Sequence, residues 1–334
     1  MIHLGPCVLA VLLCCPAPVA GQEPPPATPQ RLGVFFWHDS PNDTATFAGI
    51  QKGLQQGGLR HTFVEQRADS DPQKAKAAFA ALRAARCDLV FAMGTQAALL
   101  AKDELKDVPV VFAAVSDPVA SGVVRGWDGS GTNLCGGSNW IPPQNVLDVF
   151  RLAVPGIRHL GMLRSQTSGV VSAAELATMR AHLATLPAGH LELHEAIAVD
   201  VPGIATAVAS LLQQDVDAIW IPIDITIYQN VAAVQKALGT QKVPLLTTAA
   251  AGVRGGAIVG AVVDYALHGH RIATLALDVL VRGKAPGALP VDRMRGTQVV
   301  VNLAAARKAG IELPLSLLAV ADELLDPEIP NAGR

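Results

Sequence analysis

The sequence predicts an α/β protein of two doubly wound, Rossmann-like parallel-sheet lobes joined by a hinge of three chain crossings. Three observations predict it. From Arg31 onward, apolar runs of strand length alternate with longer amphipathic stretches, the signature of a parallel sheet. The whole alternation then repeats about 130 residues later. Finally, half of the 334 residues are hydrophobic but only 4% are aromatic, so the cores must be built from Ala, Val, Leu and Ile. Such a composition suits buried parallel strands under Ala-rich helices, and the length suits two lobes rather than one.

In the first half, LGVFFWH (32–38) is a strand by its β-branched and aromatic content. The stretch 44–56 has helical spacing through Phe47, Ile50 and Leu54 and stops at Gly57-Gly58. HTFVEQ (61–66) is a strand, and Asp71-Pro72 opens a helix through Ala85, with Asp71 as N-cap and Pro72 in the first turn. DLVFAMG (88–94) is a buried strand, a helix follows from Gln96, and VPVVFAAV (108–115) is the next strand.

In the second half, strand 159–164 precedes a helix over 172–186, and strand 190–199 precedes a helix over 202–214. Strand 217–223 precedes a helix over 226–238, and strand 243–249 closes the set. Asp88 and Asp217 open equivalent strands, which places Thr95 and Asp224 at equivalent positions. Each lobe should therefore present a ligand-facing rim at the carboxyl ends of its strands.

The remaining chain is too short for a third core. It holds a strand within 256–265, a helix over 269–281, a strand near 298–301 and a short terminal helix. The expected division is 31–138 plus 253–285 for the first lobe and 139–252 plus 286–326 for the second, with a tail at 327–334. Three crossings between lobes would make a hinge.

Residues 1–21 have the form of a signal peptide: an apolar run from Cys7 to Cys15, then small residues at Val19-Ala20-Gly21, and a loose linker at 22–30. The run is too short to span a bilayer. Leu13 before Cys14 is a poor context for lipid attachment, so a soluble periplasmic protein is expected. Cys87 and Cys135 remain after cleavage and are expected as free thiols. Lys plus Arg (26) nearly balances Asp plus Glu (28), and no basic run exists, which removes any electrostatic reason to expect nucleic acid.

Catalytic motifs are missing: no G-x-S-x-G elbow, P-loop, H-E-x-x-H or Cys-x-x-Cys. The cluster Gly129, Gly131, Gly136 and Gly137 lacks dinucleotide spacing. His190 and His194 share a strand face without converging on one ion, and His268 and His270 flank Gly269 at a helix start. No enzyme activity, cofactor or metal is expected. The chain does offer polar residues at strand ends: Trp37-His38-Asp39, Thr95-Gln96 and Ser116-Asp117 in the first half, then Ser165-Gln166-Thr167, Asp224 and Thr247-Thr248 in the second. Helix N-termini at Thr95 and Thr167 would aim backbone N–H groups at a carboxylate, and Asp224 would hold an amine. Helix capping is the competing role for Thr95, Asp117 and Asp224.

At these residues the chain resembles a known family. The pieces are Phe36-Trp37-His38, Gly94-Thr95-Gln96, and Pro109-Val-Val-Phe-Ala-Ala-Val-Ser-Asp117-Pro-Val119. Further pieces are Gly131-Thr132-Asn133 with Gly136, the strand ending in Asp224, Asp264-Tyr265 with Gly269, and the tail from Val301-Asn302 to Gly310-Ile311. Together, over about 31–326, they resemble the ABC transporter substrate-binding family that includes tryptophan- and tyrosine-binding members, with a type I periplasmic-binding fold. The resemblance implies a solute held between the lobes by His38, Thr95, Gln96, Ser116, Asp117 and Asp224, with Ser165 a further candidate from its place at a strand end. It also implies a monomer that delivers a small amino-acid-like solute to an ABC permease in the inner membrane, or presents it to a separate receptor. The loop Arg164-Ser165-Gln166-Thr167-Ser168 departs from the Glu- and Ser-bearing loop of aromatic-binding relatives, as does Ile225-Thr226 from their frequent Asn-Thr.

Overall fold

The computed structural model describes residues 29–326 apart from 39, 167, 168, 188 and 295. The expected signal peptide, most of the linker and the tail lie outside the described residues, as do Asp39 and Thr167.

The first sheet is built by β1 (Gln30–Phe36), β2 (His61–Arg67), β3 (Leu89–Met93), β4 (Val110–Val115) and β5 (Leu134–Ser138), with α1 (Pro41–Gln56), α2 (Pro72–Ala84) and α3 (Thr95–Glu104) between them. The chain then crosses through α4 (Pro143–Ala153) to β6 (His159–Ser165), α5 (Gly169–Leu183), β7 (Glu192–Ala198), α6 (Ile204–Leu212) and β8 (Ala218–Ile221). It continues through α7 (Ile225–Tyr228), α8 (Val231–Leu238), β9 (Leu245–Thr247), α9 (Ala250–Arg254) and β10 (Val259–Val262). Helix α10 (Tyr265–Leu280) returns to the first sheet, where β11 (Asp292–Arg293) pairs. The last elements are β12 (Gln298–Asn302), α11 (Leu303–Ala309), α12 (Leu315–Ala319) and β13 (Glu323–Leu325).

The strand orders are β11-β5-β4-β3-β1-β2 in one sheet and β13-β12-β10-β9-β8-β6-β7 in the other. Every pairing is parallel except β10 with β12. The result is two α/β lobes of the type I periplasmic-binding fold. Central strands such as Leu89–Met93 and Ala218–Ile221 are buried throughout, because helices cover both faces. Among the described residues, no helix is long and apolar enough to cross a membrane.

Local chemistry explains where elements start. Asp71 caps α2, accepting from the backbone N–H of Gln73 at 2.7 Å. Asp88 and Asp217, the residues that open equivalent strands, play the same part in both lobes. Asp88 accepts from the Arg31 N–H at 2.7 Å, and Asp217 from those of Arg158 and His159 at 2.7 and 2.8 Å. Each carboxylate ties its own strand to the amino end of the neighbouring one.

Several expectations are corrected. Strand β10, expected in the first lobe with 253–285, pairs with β9 and β12 in the second sheet. The chain stays in the second lobe through α9 and β10, and crosses back only between β10 and α10. β11, expected in the second lobe with 286–326, instead pairs with β5 at the edge of the first sheet. The helix expected from 269 starts at Tyr265, because Asp264 caps it by accepting from the Leu267 N–H at 2.9 Å. Gly269 therefore lies inside α10, where it permits close crossing with α1: a Cβ there would overlap the carbonyl oxygen of Thr46. The glycines at 136 and 137 belong to strand β5, hidden in the sequence because Gly is a poor strand former. The helix expected over 226–238 is broken into α7 and α8. Cys87 and Cys135 are free thiols, and burial pushes both pKa values up, that of Cys135 to about 12.

Candidate functional site

The carboxyl ends of β4 and β8 bring Ser116, from the first lobe, into one small cavity with Glu175, Trp220 and Ile223 of the second. The crossing segment supplies Asn139, Trp140 and Ile141 to its wall, and α5 supplies Thr178 and Met179. The cavity measures about 20 Å³, room for one water-sized group.

Glu175 is the buried charge of this cavity. Its Oε1 accepts from the Thr248 hydroxyl at 2.6 Å, and its Oε2 from the Ile223 N–H at 2.7 Å. Burial raises its pKa to about 7 against the opposing pull of those two hydrogen bonds, and nearby Asp224 raises it further. Asn139 is 7% exposed; its Nδ2 donates to the Tyr265 hydroxyl at 3.2 Å, while its Oδ1 has no partner among the described residues. Burial pushes the Tyr265 phenol up to about 12. The cavity thus combines a carboxylate and an unpartnered amide oxygen, both acceptors, in a buried setting.

Ser116 is placed by an irregularity in its strand. The β4–β5 register shifts between Phe112 and Val115, and Ala114 adopts φ 55°, a left-handed conformation costly for a residue with a Cβ. Its N–H is turned out of the ladder and donates to His268 Nε2 at 3.1 Å. His268 is fully buried on α10, and burial lowers its pKa to about 4, so the ring is neutral and able to accept. The Ser116 carbonyl in turn accepts from the Ser138 hydroxyl at 2.5 Å.

The other expected residues do not line this cavity. Thr95 heads α3 at the rim, half-buried; Gly94 precedes it at φ 87° and offers no side chain to cap the helix. His38 and Gln96 are exposed and do not line the cavity. Asp117 closes its own turn, accepting from the N–H groups of Val119 and Ala120 at 3.0 and 2.9 Å. Ser165 and Asp224 are both fully buried and bound to each other: Asp224 Oδ2 accepts from the Ser165 N–H at 2.6 Å, and Oδ1 from its hydroxyl at 2.9 Å. Asp224 Oδ1 also caps α7 through the Ile227 N–H at 3.3 Å. The capping role raised for Asp117 and Asp224 is therefore present in the geometry.

Glu175, Asn139 and Trp220 were missed as site residues. Glu175 carried one signal, an acidic residue among apolar ones in the expected helix 172–186, but nothing in the chain distinguishes a buried carboxylate from a solvated one.

A curated relative, a tyrosine-binding protein from Clostridioides difficile (strain R20291), is 25% identical over 277 residues, covering 82% of this chain and 79% of that one. The crystal structure of an ABC domain in complex with L-Trp from Streptococcus pneumonia is 26% identical with a TM-score of 0.71, over 89% of this chain and all of that one. A ligand-free, open structure of a substrate-binding protein with adhesive properties from Clostridium difficile shares the fold, with a TM-score of 0.78 at 22% identity over 88% of this chain and 98% of that one. The family description of ABC transporter substrate binding proteins matches residues 32–325. The chain, with its two lobes and the acceptor-lined cavity between them, belongs to the ABC transporter substrate-binding protein family.

Proposed function

We propose that this protein is the exported, non-enzymatic solute-binding component of an ABC importer, and that its solute is an amino acid held between the lobes. The observation that carries the reading is the pairing of the Glu175 carboxylate with the unpartnered Asn139 Oδ1 in a cavity the size of one water molecule. Two acceptors in a buried recess call for a small cationic donor, and an α-ammonium group fits. The solute carboxylate then lies toward the start of α3 at Thr95, where backbone N–H groups and the helix dipole favour an anion. Trp140, Ile141, Met179 and Trp220 border the recess and form an apolar wall suited to an aromatic side chain. The tyrosine-binding relative and the Trp complex support that choice of solute class. Asp224 and Ser165 fasten the strand ends beneath the site.

The protein works as a monomer in the periplasm, reached through the signal peptide at 1–21, and delivers its solute to a permease in the inner membrane. Thermal unfolding of the purified mature protein against a panel of amino acids tests the reading. Tyrosine or tryptophan should raise the melting temperature by several degrees, since solute at a hundredfold its Kd adds about 2.7 kcal/mol to stability. If no amino acid moves the transition, the reading fails.

A further inference from the structure

At the opposite end of the second sheet from the cleft, three metal-ligand side chains converge. His159 and Glu192 open β6 and β7, and the parallel register sets them directly across from each other. His194 lies two residues beyond Glu192, hence on the same face of β7. His159 Nδ1 stands 3.3 Å from His194 Nε2, and Glu192 Oε2 stands 3.7 Å and 3.9 Å from those two nitrogens. Ligand atoms bound tetrahedrally at about 2.0–2.2 Å lie about 3.3–3.6 Å from one another. The triangle is within a few tenths of an ångström of that spacing.

We propose that His159, Glu192 and His194 form a binding site for a divalent transition-metal cation of the zinc type, with water in the fourth position. Two imidazoles and one carboxylate match the preference of zinc for nitrogen and oxygen donors and disfavour magnesium or calcium, which take oxygen ligands. The histidines are also oriented for the task. His194 Nδ1 donates to Gln214 Oε1 at 2.9 Å, and Gln214 is held in turn by its Nε2 donating to the Ser210 carbonyl at 3.0 Å. This fixes the tautomer of His194 and leaves the Nε2 lone pair facing the triangle, the support that metal-bound histidines use elsewhere. With hydrogen on its own Nε2, His159 presents the Nδ1 lone pair to the same point. The rings stack at 5.5 Å between centroids and 26° between planes, which limits their rotation.

The site needs no opening of the fold, because the side chains of His159, Glu192 and His194 are 40%, 65% and 20% exposed. It spans β7, the edge strand, and its neighbour β6, so a bound cation would clip the sheet edge. His190, the residue whose spacing to His194 first raises the question of metal binding, is not part of it; it lies beside Arg158 in a separate surface recess.

Calorimetry of the chelator-treated full mature chain with Zn2+ alone tests the proposal. One equivalent should bind, His159→Ala and His194→Ala should each weaken binding at least tenfold, and Gln214→Ala should weaken it about tenfold to a hundredfold. His190→Ala should leave it unchanged, and Mg2+ should not compete. Co2+ in place of Zn2+ should give the absorption of a tetrahedral ion. Zn2+ binding no greater than in the His159→Ala/His194→Ala double variant overturns the site, as does equal binding by all variants. Circular dichroism checks folding; if a histidine variant does not fold, Glu192→Gln and Gln214→Ala carry the same comparison.

Discussion

The Asp224 carboxylate receives both the N–H and the hydroxyl of Ser165, so the ends of β6 and β8 are fastened by one buried side-chain pair. Asp224→Asn keeps an oxygen for the α7 cap but turns an NH2 group toward a donor. It should destabilise the protein by about 1.5–3 kcal/mol. Ser165→Ala should act through the same interaction, so the two changes should be strongly non-additive in a double-mutant cycle by urea unfolding. Additive effects would mean that the pair does not act as a unit.

Glu175→Gln should lower affinity for an amino acid about tenfold to a hundredfold, since a charge-assisted hydrogen bond contributes about 1.5–3 kcal/mol. Because the solute-free carboxyl has a pKa near 7, binding an ammonium group should favour its ionised form. Affinity should rise with pH between about 5 and 7, with a proton released. Calorimetry in buffers of different ionisation enthalpy measures that release; wild-type binding without it would remove Glu175 from the solute contact.

Glu175 and His268 should drive stability in opposite directions with pH. Burial raises Glu175 from 4.5 to about 7, so the native state holds more protons than the unfolded chain in that window, and stability falls as pH rises through it. His268 is lowered from 6.5 to about 4; there the unfolded chain holds more protons, and stability falls as pH drops through that window. Each is worth about 3 kcal/mol at full extent, so the two largely cancel across the shared range in the wild type. Relative to wild type, Glu175→Gln should show stability rising with pH there, and His268→Gln should show it falling. Parallel wild-type and variant profiles would refute both assignments.

Gly269→Ala should destabilise the first lobe by about 1–3 kcal/mol, because the added methyl meets the backbone of α1 at Thr46 and Ile50. Gly126→Ala, where a Cβ meets nothing within 4 Å, should stay within about 0.5 kcal/mol. Urea denaturation of the two variants gives the contrast; equal losses would mean that the α1–α10 crossing can widen freely.

Much of the fold follows from local chemistry that the sequence carries openly. The alternation of strand and helix, the cap at Asp71 and the matched roles of Asp88 and Asp217 depend on periodicity and on groups near in sequence or repeated between halves. Ser116 was legible for a related reason: parallel strands present their carboxyl ends on one side, so the end of β4 had to face the cleft. The sequence did not decide which sheet took β10 or β11, because the apolar run of β10 suits the interior of either sheet and β11 is only two charged residues long, too short to carry a strand pattern. Nor did it reveal Glu175 as the charge of the cleft or His159, Glu192 and His194 as neighbours. A carboxylate acquires its raised pKa from the atoms packed around it, and the three metal-ligand side chains meet only through the register of two strands whose first residues are 33 positions apart. Both are set by contacts between distant parts of the chain, and those existed only once the lobes had packed.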